Sequence, residues 1–388
     1  MSAVIVSMNA MIGSGIFAAP AALASAAGPA GIITYLLVIV GVCAIGLSLA
    51  RIASYVNSPG SFYAYTYPWG GNVGGLIASG SYIFGLIIAM GLLAKIAGIY
   101  IATFLPFCTA QHWGMFTIMG MTLLTMCGMG VSTIGQYILI AATIFPLLAI
   151  AFLCFMHTNF SLLFPFAPFG IAPVIKSARI IIFSFFGFEC CASLFTVVQN
   201  PNKNIPRALI LSILLVGILY FLLIFSLFVA IPLPYFSDPF VPLSTILAQV
   251  FPAHTEITYL IHLGILSAIL GTIHAMLWGT TEFLQVIVGK IALMKPVLPF
   301  FVRPVATTLI GVSLFVPLIF INNLNLFFSF VALGIVGAYL LSIITLFFIK
   351  SEWQSGRNII TVIAVGTILL IIWFAGENII EELCKERI

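Results

Sequence analysis

Apolar runs of about 20 residues, the length that spans the ~30 Å hydrocarbon layer of a bilayer, recur along the whole chain. Short punctuations of Gly, Pro and charged residues separate them. The pattern predicts eleven helical segments, near 3–27, 30–50, 74–105, 114–131, 134–156, 178–198, 207–231, 256–281, 304–321, 325–349 and 358–375. The stretch 157–177 is too rich in Pro and polar residues for a span, and reads as a loop with a surface helix.

Composition sharpens this picture. Of 388 residues, 63% are hydrophobic and 6% charged, whereas a soluble domain carries roughly 25% charged residues. One all-α polytopic membrane domain over 1–388 is expected. The first apolar stretch lacks a basic n-region and is followed by another span, so no cleavable signal peptide is expected. The seven cysteines have no CxxC spacing and read as small buried thiols, with no disulfide framework, metal or cofactor site expected.

Basic residues lie in short loops rather than in one stripe, which speaks against a nucleic-acid surface and makes them markers of topology. With the N-terminus in the cytoplasm, Arg51, Lys203, Arg207, Lys290, Lys295, Arg303, Lys350 and Arg357 fall inside. Lys176, Arg179, Lys385 and Arg387 fall outside, as does the C-terminal segment from Glu377. Cytoplasmic loops carry the Lys/Arg excess, so the expectation is a multi-pass protein of the cell membrane in this orientation.

Two segments carry breaks. The first reads Ala10-Met11-Ile12-Gly13-Ser14-Gly15-Ile16-Phe17 and the sixth Phe183-Ser184-Phe185-Phe186-Gly187-Phe188-Glu189. Each Gly costs a helix interior about 1 kcal/mol, and freed backbone in a membrane is tolerated only against protein or a watery cavity. Tight packing of small residues would explain Gly-Ser-Gly by itself. Segments 1 and 6, however, are corresponding members of two five-helix sets, 1–156 and 178–349, with 358–375 left over. Interrupted helices at matching positions mark a transporter's midplane site. Open amides near Ser14 and Gly15 suit a carboxylate, and freed carbonyls suit an ammonium group. An α-amino acid has both.

These residues also carry a resemblance. "AMIGSGIFAAP" at 10–20 and "FSFFGFECCASLFTVVQNPNKNIPRALI" at 183–210 resemble the first and sixth helices of the amino acid–polyamine–organocation transporters. "SPGSFYAYTYPWGGNVGG" at 58–75 is similar to their second-to-third helix loop. The resemblance covers roughly the first 230 residues. It implies the leucine-transporter-type 5+5 inverted repeat, alternating access, and a site built from Ile12, Gly13, Ser14, Gly15, Phe183, Ser184, Phe185, Phe186, Gly187, Glu189 and Met276. Phe183 would be an aromatic lid and Tyr82 a gating residue. Arginine–agmatine antiporters of the family place Trp where this chain has Phe183, and a second Trp aligns loosely with Met276, which departs from a guanidinium-stacking pocket. Some proton-coupled relatives carry a Lys in the fifth helix, absent from 134–156 here. Twelve spans are common in the family; eleven would remove a surface that dimeric relatives use, leaning the expectation towards a monomer.

An ionisable group within a span costs at least ~2.5–3.5 kcal/mol, so Glu189, Lys95 and His274 need reasons. Glu189 would order the break, carry a proton or face a cation. Lys95 would pair with Glu189, serve coupling, or snorkel. His274 would titrate or hydrogen-bond within the packing, and His262 carries less functional interest. Ser267 and Thr272 leave sodium coupling open. An enzyme is disfavoured by the absence of HExxH and Gly-x-Ser-x-Gly motifs and by a lone Asp, Asp238. A channel is disfavoured by the lack of a filter or charged ring. The expected function is secondary transport of an amino acid or related amine, by exchange or proton symport, with lipid and a coupling proton or counter-substrate as partners; a polyamine or other organic cation is the alternative substrate.

Overall fold

The computed structural model describes residues 2–385 except 57, 128, 196–197, 238–240, 292–298, 300, 322 and 349–357. Of the residues used above to set topology, Lys295, Lys350, Arg357 and Arg387 lie outside the described residues, as does Asp238. The described regular structure is helical. In the first half run α1 (Ser2–Met11), α2 (Ser14–Ala27), α3 (Gly31–Tyr55), α4 (Ser61–Phe104), α5 (Ala110–Met126) and α6 (Met129–Met156). A connecting stretch holds α7 (Ala172–Lys176). The second half comprises α8 (Ala178–Phe183), α9 (Cys190–Ser193), α10 (Pro201–Ala230), α11 (Leu243–Val250), α12 (Thr255–Lys290), α13 (Arg303–Ser313), α14 (Phe315–Phe320), α15 (Leu324–Ile343) and α16 (Thr345–Phe348). Last comes α17 (Asn358–Lys385).

Among the described residues, eight helices are long and apolar enough to cross a membrane, against eleven runs expected from sequence. The difference has visible causes. The first and sixth runs are broken into α1/α2 and α8/α9, and α5 is 17 residues long. A second difference lies at 58–75. It is not a loop for most of its length: α4 starts at Ser61 and bends at Gly71 (φ 57°, ψ −155°). Two helical stretches, 61–70 and 72–104, meet at Gly71, and the kink between them is bridged by the Tyr63 hydroxyl, which donates to Asn72 Oδ1 at 2.6 Å. The 157–177 stretch is irregular, as expected, with only the five-residue α7 and a short 3-10 turn.

The outside of the bundle is apolar. Phe152 on α6 and Trp373 on α17 are 66% and 73% exposed, a cost water would impose and lipid does not. α17 runs between the two ends of the bundle. Thr361 near its start accepts from Arg51 of α3 at 3.0 Å, and Glu377 near its end pairs with Lys176 at 2.7 Å. The intervening helical rise is about 24 Å, close to the hydrocarbon thickness.

Inside, small residues let helices touch backbone to backbone. α4 crosses α15 where Gly85 meets Gly334: a Cβ on Gly85 would lie 2.8 Å from the Ile335 nitrogen. Gly85→Leu is therefore expected to lower the melting temperature in detergent, by the equivalent of about 1–3 kcal/mol or more. Gly80→Leu, on the same helix where an added Cβ would meet no atom within 4 Å, is the control and is expected to melt like the parent.

Candidate functional site

The two breaks cross each other. α1 ends at Met11, Gly13 is extended (φ −126°, ψ −150°), and α2 begins at Ser14 with no side-chain cap. The first amides of any helix have no intrahelical partner, so α2 presents open N–H groups in the interior of the bundle. Gly13 lies directly against Thr272 of α12. A Cβ on Gly15 would sit 2.8 Å from the Ser184 Cα and 3.1 Å from Phe183 Cδ1. From the other side, Gly187 (φ 116°) lies against the Ala10 carbonyl. Both the left-handed φ and the close approach require Gly there.

Hydrogen bonds fix the crossing. The Ser7 hydroxyl donates to the Phe188 carbonyl at 2.9 Å, and the Tyr220 hydroxyl to the Met11 carbonyl at 2.7 Å. Between α8 and α9 the chain makes single turns, Ser184 N to Ile181 O and Phe186 N to Phe183 O. Glu189 is fully buried and both its oxygens are engaged. Oε2 accepts from the Gly187 amide at 3.0 Å and Oε1 from the Tyr82 hydroxyl at 3.2 Å. Tyr82 is clamped by Phe62 and Phe283, with ring centres at 4.4 and 5.6 Å.

The expected residues are thus brought together in good part. Ile12, Gly13, Gly15, Phe183, Ser184, Phe186, Gly187 and Glu189 are all buried at or beside the crossing. Ser14 begins α2, but its side chain lies outside the described residues. Phe185 turns to Tyr220 of α10, ring centres 5.3 Å apart. Met276 is buried on α12, one turn beyond Thr272 and so on the same helix face. Phe183 contacts Phe328 of α15 at 4.9 Å.

Lys95 does not belong here. Its ammonium donates to the Ile321 carbonyl at 2.9 Å and lies 5.9 Å from the Phe327 ring centre. Thirteen residues of α4 separate it from Tyr82, about 20 Å of helix, so it is not the counter-ion of Glu189. His274 lies on α12, two residues past Thr272, in a separate polar group with Gln136 and Asn9. Sequence reasoning passed over Asn9, Gln136, Phe62 and Phe328. Asn9 and Gln136 are polar residues inside apolar runs, a signal that was there to use.

Two interrupted helices crossing at an uncapped helix start, inside an all-helical apolar bundle, define a transporter of the leucine-transporter fold. The structure of MhsT in complex with L-phenylalanine shares this fold: TM-score 0.70, 13% identity, 96% of this chain and 98% of that one covered. An amino acid permease family profile matches residues 1–378, and the chain belongs to that family. Among curated relatives, the branched-chain amino acid permease BcaP of Bacillus subtilis is 25% identical over 71% of this chain and 63% of its own length. The cationic amino acid transporter 3, mitochondrial, of Arabidopsis thaliana is 25% identical over 69% of this chain and 48% of its own. The chain thus spans about half to two-thirds of the length of the relatives it matches. It is an integral, multi-pass membrane protein of a transporter family.

Two substitutions test the geometry. Gly15→Leu, whose side chain would meet the Ser184 main chain, is expected to lower the melting temperature and abolish uptake of labelled amino acid; uptake at the parent rate would remove the crossing from the site. Tyr82→Phe keeps the ring contacts but loses one hydrogen bond to a carboxylate, about 1.5–3 kcal/mol. Its expected outcome is a lower melting temperature and slower transport, read in the same preparation.

Proposed function

We propose that this protein carries a neutral, apolar α-amino acid across the membrane by alternating access around the crossed breaks. The observation that carries the reading is the uncapped start of α2 lying against the turn at 183–187. Open amides at a helix start favour a carboxylate, and loosened carbonyls in the broken segments favour the ammonium group. The chemistry of the walls sets the side chain. Phe183, Phe186 and Phe328 are aromatic neighbours at ring-centre distances of 4.9–6.3 Å. Among the described residues, the one carboxylate at the crossing, Glu189, already accepts from Gly187 and Tyr82, so it serves the break rather than a cationic side chain. The names of a branched-chain permease relative and of an L-phenylalanine-bound structural neighbour support the same choice, whereas those of the cationic amino acid transporter relatives favour the cationic alternative.

The two repeats are assigned to 1–156 and 178–349, with 358–375 outside them. The N-terminus is placed in the cytoplasm, because that choice puts most loop Lys and Arg inside. Substrate would enter from either end as α1, α2 and α8 rock against the rest of the bundle. Neither metal nor cofactor enters this scheme.

Thermal stabilisation of the purified protein tests the reading across the twenty amino acids, agmatine and spermidine. A ligand bound only by the folded state stabilises it by about 2.7 kcal/mol at 100 times its dissociation constant. Leucine, valine, isoleucine or phenylalanine is expected to raise the melting temperature. Stabilisation by arginine, agmatine or spermidine alone would replace the neutral substrate with a cationic one, and no stabilisation of folded protein at millimolar ligand would remove the amino acid reading.

A further inference from the structure

Behind α12, on the side away from the crossing, four nitrogens of three side chains lie buried without acceptors. The first belongs to His274. Asn9 Nδ2 donates to the Gln136 carbonyl at 2.8 Å, and a carbonyl can only accept, so the same NH2 group donates to Gln136 Oε1 at 2.6 Å. Gln136 therefore turns its own NH2 to His274 Nδ1, 2.9 Å away. That nitrogen accepts, and the imidazole proton sits on Nε2. Among the described residues the Nε2–H has no partner, and neither has Trp278 Nε1, nor Arg303 Nε and Nη2. His274 and Trp278 are 0% and 5% exposed, and buried polar groups are rarely left so.

The three residues share one place. His274, Trp278 and Glu282 follow one another at steps of four along α12, which stacks them on one face. Arg303, the first residue of α13, lays its guanidinium 5.8 Å from the Trp278 ring centre and within electrostatic reach of His274. Its Nη1 meets Glu282 Oε1 at 3.5 Å, long beside the roughly 2.7–2.9 Å of a good charge-assisted bond. Nε and Nη2 make up the side edge of the guanidinium, a pair of donors in a fixed fork that fits an anion. α13 starts here with no side-chain cap, so its dipole adds to the positive field. Thr272 lies against Gly13 at the crossing. At about 3.6 residues per turn, His274 points some 160° away from Thr272, and Trp278 as far from Met276. This face is separate from the substrate walls.

We propose that His274, Trp278 and Arg303 bind a small monovalent anion, of halide or carboxylate size, that fastens α13 to α12. The inference stands apart from the transport reading, because it concerns a free ion and not the cargo. Every unpartnered atom of the three side chains is a donor, and an anion accepts from all of them. A water would bring two hydrogens of its own to a place where, among the described side chains, Glu282 offers the acceptor. Burial favours a single charge, since removing a charge from water is costly and more so for a divalent ion. Glu282 opposes the ion by repulsion. Occupancy is thus a balance of two charges and varies with anion concentration.

Melting of the purified full chain tests this, in sodium chloride, sodium formate or sodium gluconate at one ionic strength. Chloride or formate is expected to raise the melting temperature saturably, by about 2 °C or more over gluconate. A rise with chloride alone marks a halide site, and with formate alone a carboxylate site. Glu282→Gln removes the opposing charge, so half-saturation is expected at about tenfold less anion. Trp278→Phe keeps the ring but loses one donor to a charge, and is expected to need about tenfold more. Arg303→Gln is expected to melt alike in the three salts. Equal melting of the parent in the three salts would overturn the proposal. So would unchanged half-saturation in either Glu282→Gln or Trp278→Phe, the pair that decides if Arg303→Gln fails to fold.

Discussion

Everything at the centre of this protein depends on two stretches of backbone approaching with no side chain between them. Gly15 faces the Ser184 Cα and Gly187 faces the Ala10 carbonyl. That approach holds the breaks open: a helix that continued through 13–15 would move its own backbone, and α2 would no longer offer unpaired amides. The bonds around it are tertiary, from Ser7, Tyr220 and Tyr82. They compensate in part for the intrahelical bonds lost at the breaks, which a lipid environment would otherwise leave unpaired.

The polar groups of the core divide into two sets with different work. Glu189, Gly187 and Tyr82 tie the sixth-helix break to α4. Asn9, Gln136 and His274 tie the first break to α6 and α12. The first set has its carboxylate oxygens occupied, which suits a fixed brace. The second leaves an acceptor and a ring nitrogen without a partner among the described residues. The two sets meet at one crossing, so a change in either is felt by the same backbone.

Much of the fold was legible in the sequence because its signals are large. Twenty apolar residues, a Gly-Ser-Gly inside one run and a Glu inside another can be read without partners. The first stretch of α4 was not legible: Pro68 and Gly71 look like loop residues, yet a helix runs from Ser61 up to the kink at Gly71, where the Tyr63–Asn72 bond bridges it to the helix that follows. The number of unbroken helices differs from the number of apolar runs for a related reason, since apolar length does not reveal whether a helix is whole. Side-chain pairing was out of reach. Lys95 and Glu189 look like natural partners as two charges in apolar runs, yet helix length keeps them apart. Asn9 and Gln136 stand 127 positions apart, and nothing local to either one names the other.

The glycine contacts also limit how such a protein can diversify. At Gly15 or Gly187 any change of residue adds an atom where another backbone already lies, so single substitutions there have no viable intermediate. Met276, Phe183, Phe186 and Phe328 are different: their contacts run through side chains, Phe183 meeting Phe186 and Phe328 ring to ring. On the proposed site, a lineage exploring new cargo would therefore keep the crossing and vary the walls. The machinery of movement and the choice of passenger become separately heritable traits on one scaffold.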